Sequence, residues 1–210
     1  MLRLMLPGLL LAGFVFSVPT WSSEPTEEEA VGALEKLGAK INGANSNDAG
    51  ARPVRGVLFP GKGCNATDAD LVHLAALKDL EYVFIIRQKK IRGEGLKHLA
   101  GLKKLDTIDL MGTPVEGKHL VHLKELKQLH KLGLWQTAVD DEGMVHLKGL
   151  VNLEHLYLDR TSVGDKGIEV LGPHPSLCNV SWGGSRVTAK GEMLMKRNWP
   201  RIGLPPLWGD

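Results

Sequence analysis

Four histidines, His73, His98, His122 and His146, recur at intervals of 25, 24 and 24 residues. A recurring imidazole invites a metal-binding or pH-sensing reading. Zinc, however, needs several ligand nitrogens converging at about 2.0–2.1 Å. A residue that appears once per structural row is laid out as a ladder, with steps of at least the interstrand spacing of about 4.8 Å. The column is therefore read as structural, bridging helix surface to backbone, with protonation near pH 6 as its remaining chemistry. No metal ligands are assigned.

Gly61-Lys62-Gly63-Cys64-Asn65-Ala66 matches the loose dinucleotide pattern GxGxxA. That chemistry needs a helix opening at the glycines and an acid at the end of the next strand. Here the helical run starts near Thr67 and Glu81 precedes its strand, so the stretch reads as an enlarged loop. No Walker loop, HExxH, CxxC or GxSxG occurs, and neither catalytic residues nor cofactors are assigned. His155 and Asp159 are the only pair from which a hydrolase could be built, without a nucleophile and base at a diagnostic spacing. Cys64 and Cys178 lie five strand steps apart, about 24 Å, beyond the roughly 7 Å a disulfide spans between Cα atoms. They are free thiols or pair between molecules. Asn65-Ala66-Thr67 and Asn179-Val180-Ser181 are glycosylation acceptors if the source glycosylates exported proteins.

Composition sets outer bounds on function. The 210 residues carry 26 Lys+Arg against 24 Asp+Glu, a formal charge of +2, with 43% hydrophobic residues and only two cysteines. That length suits one domain with a real core. The near-neutral balance excludes the electrostatics of a dedicated nucleic-acid binder, and the cysteine count excludes a disulfide scaffold. Lys78, Lys103, Lys104, Lys124, Lys127 and Lys148 are interleaved with Asp79, Asp106, Glu125 and Glu154, the pattern of a solvated face. Leucine is the outlier, at 34 residues.

Arg3 followed by an uncharged run from Leu4 to Ser23 reads as a secretory signal peptide over 1–22, cleaved near Ser22. Pro7, Gly8 and Pro19 argue against a membrane anchor, so the mature chain is not membrane-inserted unless the signal stays uncleaved. Residues 23–53 form a capping unit. Thr26 with Glu29 makes a helix capping box, and Ala30, Leu34, Leu37 and Ile41 make one apolar helical face. Asn42 to Pro53 reads as a flexible joint.

Over 54–195 the chain repeats. Val115, Val139, Val163 and Val187 share one column of a 24-residue period, Leu110, Leu134, Leu158 and Trp182 another, and Thr113, Thr137, Thr161 and Ser185 a third. Within a row Leu96, Leu99, Leu102, Leu105, Ile108 and Leu110 are spaced 3, 3, 3, 3 and 2. Helix-like spacing thus gives way to strand alternation in every row. About five full rows of 24–25 residues are flanked by partial ones, with a tail over 196–210. One row cannot bury its leucines, but three or more stacked rows enclose a core. The threonine hydroxyls are expected to satisfy turn backbone as a ladder inside the stack.

The recurring LxxLxxLxxLxLxxTxV, as in Leu99, Leu102, Leu105, Ile108, Leu110, Thr113 and Val115, resembles the leucine-rich-repeat proteins. The Thr/Ser column replaces the more common Asn or Cys, and this is similar to ribonuclease-inhibitor-like solenoids with short repeats. The resemblance implies an α/β fold: a right-handed solenoid with parallel strands on the concave face and helices or helical turns on the convex face.

Strand alternation then gives the outward concave residues. Tyr82, Phe84, Ile86, Met111, Trp135 and Tyr157 form an aromatic and apolar stripe, joined by Asp109, His155, Asp159 and Arg160 as polar determinants; Trp182 falls in the buried column. Exposed aromatic patches mark interaction sites. The sequence thus points to a secreted, periplasmic or envelope-associated protein that binds a protein partner on its concave face. It would be non-catalytic, without nucleic-acid binding, and monomeric or weakly self-associating. A self-associating structural protein is the alternative, and the C-terminal Pro205-Pro206-Leu207-Trp208 could cover part of the stripe.

Overall fold

Each row closes on the next through its backbone. In the computed structural model, which describes residues 25–43, 53–199 and 202, one sheet runs in chain order: β1 (Lys40–Asn42), β2 (Gly56–Phe59), β3 (Tyr82–Ile85), β4 (Thr107–Asp109), β5 (Lys131–Gly133), β6 (His155–Tyr157) and β7 (Asn179–Ser181). From β2 onward every pair is parallel and in register, with Ile108 opposite Leu132, Leu156 and Val180 in turn. β1 pairs antiparallel with β2. The expected signal segment and the 205–208 stretch lie outside the described residues.

The convex side carries short 3-10 segments at Asp68–Ala76, Glu94–Leu99, Gly117–Leu123 and Glu142–Leu147. It also carries helices α1 (Glu27–Lys36), α2 (Asp165–Leu171) and α3 (Ala189–Asn198). The leucine spacing of three explains the preference for 3-10 turns. With three residues per turn, side chains at i and i+3 eclipse, so Leu96 and Leu99 point into the same core. Leu71, Leu74, Leu77, Leu80, Val83 and Ile85 of the first row are completely buried, and their apolar counterparts in the next three rows join them in one continuous cluster. This is a leucine-rich-repeat solenoid. Among the described residues no helix is long and apolar enough to cross a membrane.

Two polar ladders reinforce the stack. At the strand starts the carbonyls of Glu81, Asp106, His130 and Glu154 each accept two N–H groups from the following row. On the convex turns Gln128 donates to the Leu102 carbonyl, Asn152 to Lys127 and Ser176 to Val151. Aspartates staple three of the row junctions. Asp68 accepts from the N–H groups of Arg92, Gly93 and Gly95 at 2.7–2.9 Å. Asp141 accepts from Gly164 and Gly167 at 2.6 and 2.9 Å, and Asp165 from Thr188 and Gly191. Each carboxylate thereby satisfies orphan donors at the start of the next row's helical segment. The same column holds Gly93 and Gly117 in the middle rows, and there the chains approach instead: a Cβ on Gly143 would lie 2.4 Å from the Gly117 Cα.

One expectation is met and others are corrected. The Thr113, Thr137 and Thr161 hydroxyls donate to Leu110, Leu134 and Leu158 carbonyls at 2.6–2.7 Å. Each bond satisfies turn backbone as expected, within its own row. The Ser185 hydroxyl instead accepts from the Val187 N–H. The apolar face of the first helix stops short of Ile41. The capping box of Thr26 and Glu29 forms as expected, but Leu37 caps α1, Gly38 turns the chain at φ +87, and Ile41 lies in β1. Asn42, assigned to the joint, is thus part of the sheet. Trp182 is half-buried instead of buried, because no full row follows to cover its column. Closure comes from α3 and from Trp199, fully buried with its indole N–H 2.7 Å from the Gly172 carbonyl.

The aspartate staples predict unequal effects of neighbouring substitutions. Asp141→Ala strands two N–H donors and should cost about 1–2 kcal/mol in denaturant unfolding. Asp140→Ala removes one 3.3 Å bond to Gly143 within its own row and should cost less than about 0.5 kcal/mol. Equal losses would show that the inter-row bonds contribute nothing specific.

Candidate interaction face

Because the strands stack in register, the concave side chains fall in three columns. The first holds Tyr82, Thr107, Lys131, His155 and Asn179, and the second Phe84, Asp109, Gly133, Tyr157 and Ser181. The third holds Ile86, Met111, Trp135, Asp159 and Gly183, at and just beyond the strand ends. All the sequence-selected residues lie on this side. Most are half-buried, Arg160 is exposed, and among the described residues the exposed large apolar ones, Val72, Val145, Val151 and Met193, are not among those selected. The stripe is therefore shallower than a set of free aromatic rings.

The reason is stacking between rows. The Tyr82 ring lies over Gly56, where a Cβ would come within 2.0 Å of it, and its hydroxyl accepts from the Asn42 side chain on β1. Phe84 packs on Tyr82 with ring centroids 5.2 Å apart. The N-terminal end of the stripe is thus partly covered by the cap. Farther along, Lys131 Nζ sits 5.3 Å from the Tyr157 ring centroid and Arg160 Cζ 5.9 Å from that of Trp135. Both are cation–π distances. Lys131 is not among the residues selected from the sequence, since its pairing with Tyr157 depends on register across β5 and β6.

Arg160 reaches Trp135 through its backbone. Arg87, Gln136 and Arg160 occupy one column at the turn after the strand, each left-handed at φ +53 to +55, and Gly112 and Gly184 fill the same position elsewhere. Left-handed non-glycine residues are uncommon and clustered ones are worth noting. No sequence signal marked this column, because Arg and Gln are not turn-specific residues.

The acids of the face are held inward. Asp109 Oδ1 accepts from the Met111 N–H at 3.0 Å and lies against Gly133, where a Cβ would be 2.5 Å away. Burial raises its carboxyl, offset in part by the Met111 bond and by Lys131. Asp159 accepts from the Gly183 N–H at 2.9 Å and from the Ser181 hydroxyl. His155 makes no hydrogen bond to Asp159. The four-residue step along an extended chain separates them by roughly 13 Å, so they do not form an acid–base dyad. An open groove of about 480 Å³ lies at the strand starts between Lys103, Lys104, Gln128, His130, Asp106 and Tyr82.

On the convex side His73, His98, His122 and His146 are half-buried. The expected bridge from these rings to backbone does not form: no hydrogen bond joins His98, His122 or His146 to the chain, and His73 Nδ1 is buried without a partner. Among the described residues no group of three or more His, Cys, Asp or Glu could hold a metal ion. Burial lowers His98 and His122, helped by Lys97 in both and by His119, His146 and His98 around His122. His174, 2% exposed, takes the place of a core leucine. Burial lowers it too, although the Leu147 and Leu150 carbonyls favour its charged form. Cys64 and Cys178 are unpaired and half-buried.

No protein-family model matches the sequence, and no curated protein matches it. Solved leucine-rich-repeat structures do match. Internalin C2 from Listeria monocytogenes is 22% identical over 65% of this chain, with a TM-score of 0.50. The chain spans 62% of that structure's length. The leucine-rich-repeat ectodomain of the receptor kinase SOBIR1 from Arabidopsis thaliana is 14% identical over 77% of this chain and 94% of its own, with a TM-score of 0.51. At these identities the likeness establishes the fold.

The lowered histidines, His98, His122 and His174, predict a pH dependence. Their folded values lie below the ordinary 6.5, so the unfolded chain takes up protons that the folded chain resists as pH falls through 6.5. Stability should therefore be flat above pH 7 and decline toward pH 5, read as the denaturant midpoint. His174→Leu should raise the midpoint and reduce the slope; an unchanged slope would exclude His174 as a contributor.

Proposed function

We propose that this chain is an exported recognition protein that acts by binding a protein partner on its concave face, without chemistry of its own. One observation carries the reading: Tyr157 on β6 and Trp135 just beyond the end of the adjacent β5 are placed by a sheet of fixed register, each with a cation already seated on its ring. A surface ordered before binding loses little entropy on association, and aromatic and arginine anchors dominate binding energy where they occur. Asp109, His155, Asp159 and Arg160 border these rings and would set polar specificity, with Tyr82, Phe84, Ile86 and Met111 extending the contact toward the N-terminal cap. The leader-like first 22 residues support export and delivery to a secreted, periplasmic or envelope location.

The test is recovery from native extracellular or envelope extract by the full chain beside Trp135→Ala/Tyr157→Ala. A partner held by the parent and lost by the variant, with at least about 1 kcal/mol of affinity removed and thermal unfolding unchanged, is the expected result. Equal recovery by both would move the interaction off this face.

A further inference from the structure

The charges on the concave face are not equivalent. Its two carboxylates are engaged within the fold: Asp109 by the Met111 N–H, and Asp159 by the Gly183 N–H and the Ser181 hydroxyl. At the strand starts Glu81 is paired with Arg55 at 2.9 Å and Asp106 accepts from the Thr107 hydroxyl at 2.9 Å, leaving Glu154 as the exposed acid of that edge. The cations are differently placed. Arg87, Lys131 and Arg160 are exposed, and none makes an ion pair with a carboxylate among the described residues. Lys131 and Arg160 lie on aromatic rings, which fix their position without neutralising them, and Lys131 also acts on the Asp109 carboxylate without forming an ion pair with it. A guanidinium stacked on a ring keeps its N–H edge free for a carboxylate. Lys89 is spent on the Gly112 carbonyl.

We propose that the concave face takes an extended acidic segment of its protein partner. Carboxylates of the segment would meet Arg87 and Arg160, apolar side chains would lie along Ile86, Met111 and Trp135, and Lys131, at the start of β5, would add positive charge beside the segment. This rests on the reading of the concave face as the binding surface and adds the chemistry of what binds there. The geometry gives a spacing as well as a charge. Arg87 and Arg160 occupy the same turn position after β3 and β6, three strand steps apart, or about 14 Å at 4.7–4.8 Å per step. An extended chain lying across the strands places residues i, i+2 and i+4 on one side, and i to i+4 covers about 13 Å. Acids four apart reach both arginines, and the residue midway faces Met111 and Trp135. The matching pattern is acid, any, apolar, any, acid.

Panning a random-dodecapeptide display library on the immobilised full chain tests this. Enrichment of acids four apart around an apolar residue is expected. The selected peptides, made synthetically, should bind Lys131→Glu/Arg160→Glu at least tenfold more weakly and weaken with added salt. Lys131→Gln/Arg160→Gln, which introduces no new charge, should lose less; it serves as the readout if charge reversal lowers the melting temperature. Neutral or basic selected peptides, acidic ones indifferent to both variants, or no enrichment over the bare support would overturn the proposal. So would heparin binding as tightly as the peptides, which would mark a general polyanion surface. Peptides lost by Trp135→Ala/Tyr157→Ala yet not acidic would overturn the charge assignment alone. Peptides insensitive to every concave variant would overturn the binding face itself.

Discussion

Parallel in-register pairing, at an offset of 24 residues from β4 onward, is the constraint from which the rest of this structure follows. Once Ile108 is opposite Leu132 and Leu132 opposite Leu156, every other residue of a row has its place. A slip by one residue would turn the buried column to solvent and the concave column to the core. The doubled hydrogen bonds at Asp106, His130 and Glu154 hold that offset at one end of the strands, and the Asp141 and Asp165 carboxylates hold it on the convex side. Leucine burial provides most of the driving force, while these polar contacts select the register in which it is realised.

The concave face inherits its chemistry from this register. A side chain on one strand meets the side chain one row later more closely than its own chain neighbours, so Lys131 finds Tyr157 and Asp109 finds the space left by Gly133. Arg160 crosses back to Trp135 because its left-handed turn redirects the chain at the end of the strand. The acids and bases were not arranged as ion pairs with each other. The acids turn toward backbone N–H groups, and the bases toward rings, so the charges left facing outward are mainly positive although the whole chain is close to neutral.

What could be read beforehand divides along the same line. The fold was legible because apolar columns at a constant period admit one economical solution, and because Leu96 and Leu99, three apart, suit a three-residue turn as well as an α-helical one. The outward concave residues were legible from alternation within each row. The staples at Asp68, Asp141 and Asp165 were not, since an aspartate column broken by Gly93 and Gly117 resembles ordinary surface variation. The covering of Tyr82 by Asn42 was hidden because β1 lies outside the repeat and pairs antiparallel. Trp182 was misplaced because a column position predicts burial only when another row stacks on it.

The two ends of the array bear on where binding energy can reside. At the first end α1 and β1 close the core, and Tyr82 is tied down by Asn42 over Gly56. At the other end α3 and Trp199 close it, while the concave positions of β7 and its turn are Asn179, Ser181 and Gly183, which offer little apolar area. Between these limits the third and fourth rows carry Trp135 and Tyr157 with their cations, and Met111 precedes them. A partner therefore gains most by crossing the strands near their C-terminal ends, where apolar contact and positive charge coincide. A partner aligned along β5 or β6 alone would meet one of these two rings and one of these two cations.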